Sequence, residues 1–173
     1  MKLDAREKNL LNNIPNLFKY NNILYIGAKN SRMQCSELLR NNIKNLKLDI
    51  VEPFIENYNF LLTLNWINKV YNCTIQDFDI DIKYDIIFWW HGPEHIEKTQ
   101  LKDTFEKIES LSNKYIILGC PYGKYEQGAV GGNDFEIHRS YLYPEDFSKY
   151  GYSVSTLGEK DVRCSHILAW KCK

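Results

Sequence analysis

Tyr84-Asp85-Ile86-Ile87-Phe88-Trp89-Trp90 (YDIIFWW), halted by the turn His91-Gly92-Pro93, decides the fold class. The run is almost continuously apolar rather than alternating. That pattern reads as a strand buried on both faces, as in a parallel sheet covered by helices on each side.

The flanking sequence repeats the same alternation of strand and helix. Upstream, Asn22–Ile26 (NILYI) reads as a strand ending at Gly27, and Lys47–Val51 (KLDIV) as a second, closed by Glu52-Pro53. Tyr71–Ile75 reads as a third, ending at Gln76-Asp77. Ser31 is placed to cap a helix through about Ile43, with Glu37 in its early turns. Pro53 opens another, in which Ile55, Tyr58, Leu61 and Leu62 recur at helical spacing to about Lys69. The link from Asp77 to Asp85 is too short for a full helix. Downstream, Leu101, Phe105, Ile108 and Leu111 mark one face of a helix over Ile96–Leu111, followed by a buried strand at Tyr115–Leu118 and the turn Gly119-Cys120-Pro121. Pro144–Lys149 reads as a short helix. Tyr152–Leu157 and Ser165–Lys171 read as a hairpin-like antiparallel edge. Ahead of the first strand, Leu10, Ile14, Leu17 and Phe18 suggest one or two short helices interrupted at Pro15. The expected fold is α/β: a mostly parallel seven-stranded sheet with helices on both faces and an antiparallel C-terminal strand.

The chain has 173 residues, of which 44% are hydrophobic and 14% aromatic. That suits one compact domain over 1–173, able to bury roughly 70% of its unfolded surface. Within it, residues 1–20 form an N-terminal helical segment and 122–140 a loop. The 22 basic and 22 acidic residues give zero formal net charge. A broad nucleic-acid surface is therefore not expected, because phosphates call for clustered Lys and Arg. No apolar run approaches the ~18 residues of a membrane helix, and Met1–Asn13 lacks the apolar stretch of a signal peptide. Cys35, Cys73, Cys120, Cys164 and Cys172 are scattered without a CxxC pair, so neither a disulfide framework nor a cysteine zinc site is expected. The expected compartment is the cytoplasm. Neither nucleic acid nor membrane is expected as a partner, and oligomerisation is left open.

In an open α/β sheet, ligands bind beyond the carboxyl ends of the strands, where strand order reverses. Attention falls on Gly27-Ala28-Lys29-Asn30-Ser31, Glu52-Pro53, Gln76-Asp77-Phe78, Trp90-His91-Gly92-Pro93-Glu94-His95 and the Gly-rich loop after Gly119.

These strand ends, taken in order, resemble the class I, Rossmann-like methyltransferases that use S-adenosylmethionine. Tyr25-Ile26-Gly27-Ala28 stands where that family has its first glycine motif, usually Asp-x-Gly-x-Gly-x-Gly. Tyr25, Lys29 and Ser31 replace the acid and the second and third glycines, and Gly27 remains. Glu52 stands where family members hold the ribose hydroxyls, and Asp77 where an acid commonly lies near the adenine amino group. Asp85-Ile86-Ile87-Phe88 and Glu94-His95-Ile96 match the fourth strand and the Glu-His that often follows. Tyr150-Gly151-Tyr152-Ser153-Val154 matches the start of the sixth strand. The resemblance implies S-adenosylmethionine as cofactor and S-adenosylhomocysteine as product. It implies cofactor contacts at Gly27, Ala28, Ser31, Glu52, Pro53, Asp77, Phe78 and Trp90.

Methyl transfer asks the protein to align a nucleophile behind an already activated methyl group, with a base where the acceptor must lose a proton. His91 and His138 are the candidate catalytic groups. Glu94, Tyr122, Tyr125, Gln127, Asn133 and Glu136 are candidate substrate contacts, and the 122–140 loop is too long and polar to be a mere connector. His91-Gly92-Pro93-Glu94-His95 also fits the H-x-x-E-H zinc-peptidase pattern. That pattern requires a helix bringing i and i+4 together, which Gly-Pro after a buried strand prevents, so no metal is expected. A dinucleotide dehydrogenase is disfavoured by the two absent glycines. The leading expectation is a methyltransferase acting on a small polar acceptor such as a sugar or metabolite. The alternative is a non-catalytic binding or partner module on the same fold.

Overall fold

The computed structural model describes residues 3–29 and 33–173. Ser31, read above as a helix cap and a cofactor contact, lies outside the described residues. Among the described residues, no helix is long and apolar enough to cross a membrane.

Seven strands form one sheet: β1 (Asn22–Ile26), β2 (Lys47–Val51), β3 (Lys69–Tyr71), β4 (Tyr84–Trp90), β5 (Ser112–Pro121), β6 (Ser153–Leu157) and β7 (His166–Cys172). Their order is β3-β2-β1-β4-β5-β7-β6. The first five pair in parallel. β7 inserts between β5 and β6, antiparallel to both. Among the described residues, five α-helices accompany the sheet: α1 (Ala5–Asn13), α2 (Ser36–Asn42), α3 (Ile55–Leu61), α4 (Leu101–Leu111) and α5 (Pro144–Ser148).

The two-residue period of a strand divides the YDIIFWW side chains between two cores. Ile86, Phe88 and Trp90 pack with Leu10 of α1 and with Leu38 and Leu39 of α2. Ile87 and Trp89 pack on the other face with Leu101, Phe105 and Ile108 of α4. Helical spacing puts those α4 residues on one stripe. α1 begins with a capping box, in which Asp4 accepts from the Glu7 N–H and Glu7 accepts from the Asp4 N–H. One buried carboxylate in the sheet, Asp49, is satisfied by the Tyr84 hydroxyl at 2.9 Å and the Asn68 amide at 2.7 Å.

Four element boundaries depart from expectation, each for a local reason. α2 starts at Ser36 rather than near Ser31, because Cys35 takes a left-handed φ of 63° that interrupts a helical ladder. α3 stops at Leu61 instead of reaching Lys69. The chain tightens there into i→i+3 bonds, Thr63 to Phe60 and Leu64 to Leu61. β3 runs Lys69–Tyr71, starting two residues and ending four residues before the Tyr71–Ile75 reading. The Asn72 side chain instead donates to the Glu52 and Pro53 carbonyls, and Thr74 turns the chain by bonding Asp77 at 2.7 Å. α4 begins at Leu101 rather than Ile96, after a 3-10 turn closed between Glu97 and Gln100.

Candidate functional site

The strand order reverses between β1 and β4. Beyond the carboxyl ends of β1, β2, β4 and β5 lies a cavity of about 680 Å3. Gly27, Ala28, Glu52, Pro53, Asp77 and Trp90 border it. So do His91, Glu94, Tyr122, Tyr125, Gln127, Asn133, Glu136 and His138. Phe78 does not: its ring is in the core, edge-on to Tyr71 at 5.1 Å, as an apolar ring beside a sheet edge would be.

At the end of β1, Gly27 takes a φ of +70°, and a Cβ placed there would meet nothing of the described residues within 4 Å. The backbone is therefore open to a close ligand. At the end of β2, Glu52 is 2% exposed. One carboxylate oxygen accepts the N–H groups of Ala28 at 3.0 Å and Lys29 at 3.1 Å. The other accepts the Phe54 N–H at 3.1 Å and the Asn57 amide at 3.3 Å. A carboxylate offers about four acceptor positions, so Glu52 is filled. It fastens the loop after β1 to the loop after β2, a structural task the strand-end reading did not foresee. Burial raises its pKa, against the pull of those bonds.

Lys29, which stands at the second glycine position of the first motif, pairs with Glu136 at 2.9 Å. That contact joins the loop after β1 to the 3-10 turn Asp134–Glu136 in the 122–140 loop. The same long loop is fastened a second time, because the Arg139 and Ser140 N–H groups donate to the Glu94 carbonyl at 2.9 and 3.1 Å. Asn133 is nearly buried, and its side chain caps that 3-10 turn by accepting from the Phe135 N–H. Gln127 donates to the Glu136 carbonyl at 2.8 Å.

The turn after β4 carries three ionisable residues that line the cavity, His91, Glu94 and His95. His91 sits at a positive φ of 51°. Its Nε2 lies 3.1 Å from the Arg6 guanidinium and its Nδ1 lies 3.3 Å from Glu94. A guanidinium only donates, so Nε2 accepts and the His91 proton is on Nδ1. Glu94 is 2% exposed, and among the described residues its second oxygen has no hydrogen-bond partner. Burial alone would raise the Glu94 pKa; the bond from His91 and the adjacent His95 outweigh it and leave the carboxyl below its ordinary range. His95 donates from Nδ1 to the Ile137 carbonyl at 3.2 Å. His138 donates from Nδ1 to the Tyr125 carbonyl at 2.6 Å, and burial lowers its pKa. The two imidazoles meet edge to face at 5.0 Å. Where no metal was expected, one ligand atom each from Glu94, His95 and His138 lies within 4.8 Å of the others.

Three groups at or beside the site escaped the sequence. Arg6 reaches His91 from α1, and nothing in its local pattern says that α1 passes the strand ends. His95 stands among the strand-end residues picked out above, without a catalytic or binding role. His166, the first residue of β7, is 1% exposed and stacks on Trp90 at 4.8 Å, with both ring nitrogens unpartnered. Burial pushes its pKa far down, which keeps it neutral.

No family model and no curated protein sequence matches this chain. Solved structures match along its whole length. The N-methyltransferase NodS from Bradyrhizobium japonicum, in complex with S-adenosyl-L-homocysteine, superposes with a TM-score of 0.66 at 12% identity, covering 98% of this chain and 88% of that one. An S-adenosylmethionine-dependent methyltransferase from Clostridium acetobutylicum gives 0.65 at 12% identity, over 98% and 92% of the two chains. The magnesium protoporphyrin IX methyltransferase from Synechocystis, with S-adenosylmethionine bound, gives 0.64 at 10% identity, over 100% and 86%. The fold is that of the class I methyltransferases. The strand order and the inserted antiparallel β7 described above belong to this class I fold, and the cavity lies at its strand-order reversal.

Proposed function

We propose that this chain is an S-adenosylmethionine-dependent methyltransferase acting on a small polar acceptor, such as a sugar or other metabolite, in the cytoplasm. The observation that carries the reading is the cavity at the reversal between β1 and β4, bounded by Gly27 and Glu52 at one side and by the His91–His95 turn at the other. Solved proteins of the same fold are described with the cofactor or its demethylated product bound.

The residues present suit that cofactor. Gly27 leaves its backbone face free of neighbouring atoms. Ala28, Pro53, Asp77 and Trp90 would complete the contact, with Glu52 beneath the ribose. The Asn57 amide is the longest of the four bonds to Glu52 and is the one a ribose hydroxyl would replace. The cofactor supplies an activated methyl group on a sulfonium. The chain's own task is to bind and orient the acceptor and to take its proton. Tyr122, Tyr125, Gln127, Asn133 and Glu136 line the acceptor side. His138 is neutral near pH 7 and keeps Nε2 free to accept a proton, since Nδ1 is spent on the Tyr125 carbonyl. His91 holds Glu94 in place while Arg6 occupies its Nε2.

A calorimetric titration with S-adenosylmethionine and S-adenosylhomocysteine tests the reading. We expect one site, with both ligands binding; no heat from either ligand defeats it. The filled acceptor positions of Glu52 favour a second reading, a ligand-binding module without catalysis. Binding of the cofactor without methyl transfer to any of a panel of sugars and small metabolites would support that alternative.

A further inference from the structure

We propose that Glu94, His95 and His138 form a binding site for one divalent first-row transition-metal ion, open to the cavity. Three observations meet there. One ligand atom from each residue lies within 4.8 Å of the other two. Both imidazoles spend Nδ1–H on main-chain carbonyls, His95 on Ile137 and His138 on Tyr125, which fixes the tautomer and leaves Nε2 as a lone-pair donor. Metal-ligating histidines are typically held in this way, with the non-ligating nitrogen bonded to a carbonyl or carboxylate. Lastly, Glu94 is buried, and its second oxygen has no hydrogen-bond partner among the described residues. An unpaired buried carboxylate oxygen is costly, and a cation at that point removes the cost.

The donor set states the class of ion. Two neutral imidazoles and one carboxylate suit zinc, iron(II) or cobalt(II), whereas magnesium and calcium prefer all-oxygen shells. Ligands about 2.1 Å from one ion lie roughly 3 to 3.5 Å apart, so loading shortens the separations between the three ligand atoms by up to about 1.5 Å, and each side chain moves inward by about 1 Å or less. The 122–140 loop that carries His138 is bonded to the Glu94 carbonyl through Arg139 and Ser140, so the two halves of the site are already tied together. Three protein ligands leave coordination positions for water or an incoming oxygen or nitrogen atom, as in metal sites that act on ligands. The His91 bond to the first Glu94 oxygen is kept, and it orients the carboxylate from behind. An ion there takes the lone pair of His138 that would otherwise accept a proton. On the methyl-transfer reading, its charge then lowers the pKa of the bound hydroxyl or amine.

The test needs neither cofactor nor acceptor, so it fails or succeeds apart from the methyl-transfer reading. Chelator-stripped protein is titrated with zinc chloride by calorimetry. We expect one ion per chain, with affinity weakened at least about 10-fold in Glu94→Gln and in His138→Ala. Both variants are first checked for a cooperative thermal transition. The wild-type protein is also loaded with cobalt(II). A visible spectrum without a thiolate charge-transfer band supports the site, and this arm stands even where a variant does not fold. The proposal is overturned by no zinc binding to the wild type, or by unchanged affinity in both folded variants. It is equally overturned by a thiolate band, which would place the ion on exposed Cys164 or Cys172.

Discussion

Gly92 shows how a single residue sets the site. Its φ of −142° is open to any side chain, so conformational freedom does not explain it. A Cβ there would stand 1.7 Å from the Trp89 indole nitrogen, and that ring is held in the α4 core. Gly92→Ala must displace either the indole or the turn that carries Glu94 and His95. We expect a loss of at least about 1–3 kcal/mol in urea unfolding. A change within 0.5 kcal/mol would mean that the turn shifts freely. The roles at the cavity separate by variant. Glu52→Gln turns one of the two acceptor oxygens into a donor, so either the Ala28 and Lys29 N–H groups or the Phe54 N–H and Asn57 amide lose their acceptor, and cofactor binding should weaken about 10-fold or more, with a smaller effect on turnover. His138→Ala should do the reverse. Equal, mild effects in steady-state kinetics and calorimetry would show that neither group serves the site as assigned. The sequence showed Glu52, His91 and His138 as residues at strand ends. It did not show Arg6 on His91 or Lys29 on Glu136, because those contacts join segments far apart in the chain and leave no local pattern.

At the scale of elements, burial and polarity account for what was readable. β4 announced itself because both its faces are buried, and α4 because its apolar stripe keeps a helical period. β3 sits at the sheet edge, is three residues long and is partly exposed, so it offers little apolar signal. The true start of α2 depends on one left-handed residue, Cys35, whose type does not betray that backbone. α5 invites a pH test. Its Asp146 is nearly buried and accepts from Lys98 at 2.8 Å, from the Tyr143 N–H at 3.0 Å and from Lys149 at 3.3 Å. Burial alone would raise its pKa, but these bonds prevail and hold it below the ordinary aspartate value. A depressed folded pKa gives stability that is present above the unfolded pKa, about 3.9, and is lost as pH falls through the folded one. The melting temperature of Asp146→Asn should therefore fall short of wild type at pH 7, with the gap closing below about pH 4. A gap that is constant from pH 7 to pH 3 would show that the carboxylate charge is not what holds α5.

For the whole molecule, the order of strands in space departs from their order in the chain at the reversal between β1 and β4 and again at β7. The last strand in sequence is an inner strand of the sheet, paired with β5 over Tyr115–Pro121 and with β6 over Ser153–Leu157. α1 reaches the same region, where the Ser155 hydroxyl donates to the Asn9 side chain at 2.9 Å across 146 positions of sequence. During synthesis, then, β5 emerges from the ribosome with one edge bare and stays so until residues 166–172 follow it. An unpaired inner edge of Ile116, Ile117 and Leu118 is a template for pairing with another chain. A nascent chain arrested after about residue 160 should bind holdase chaperones and resist compaction. One extended far enough for β7 to clear the exit tunnel should become protease-resistant, and equal resistance in the two would show that β5 does not wait for its partner.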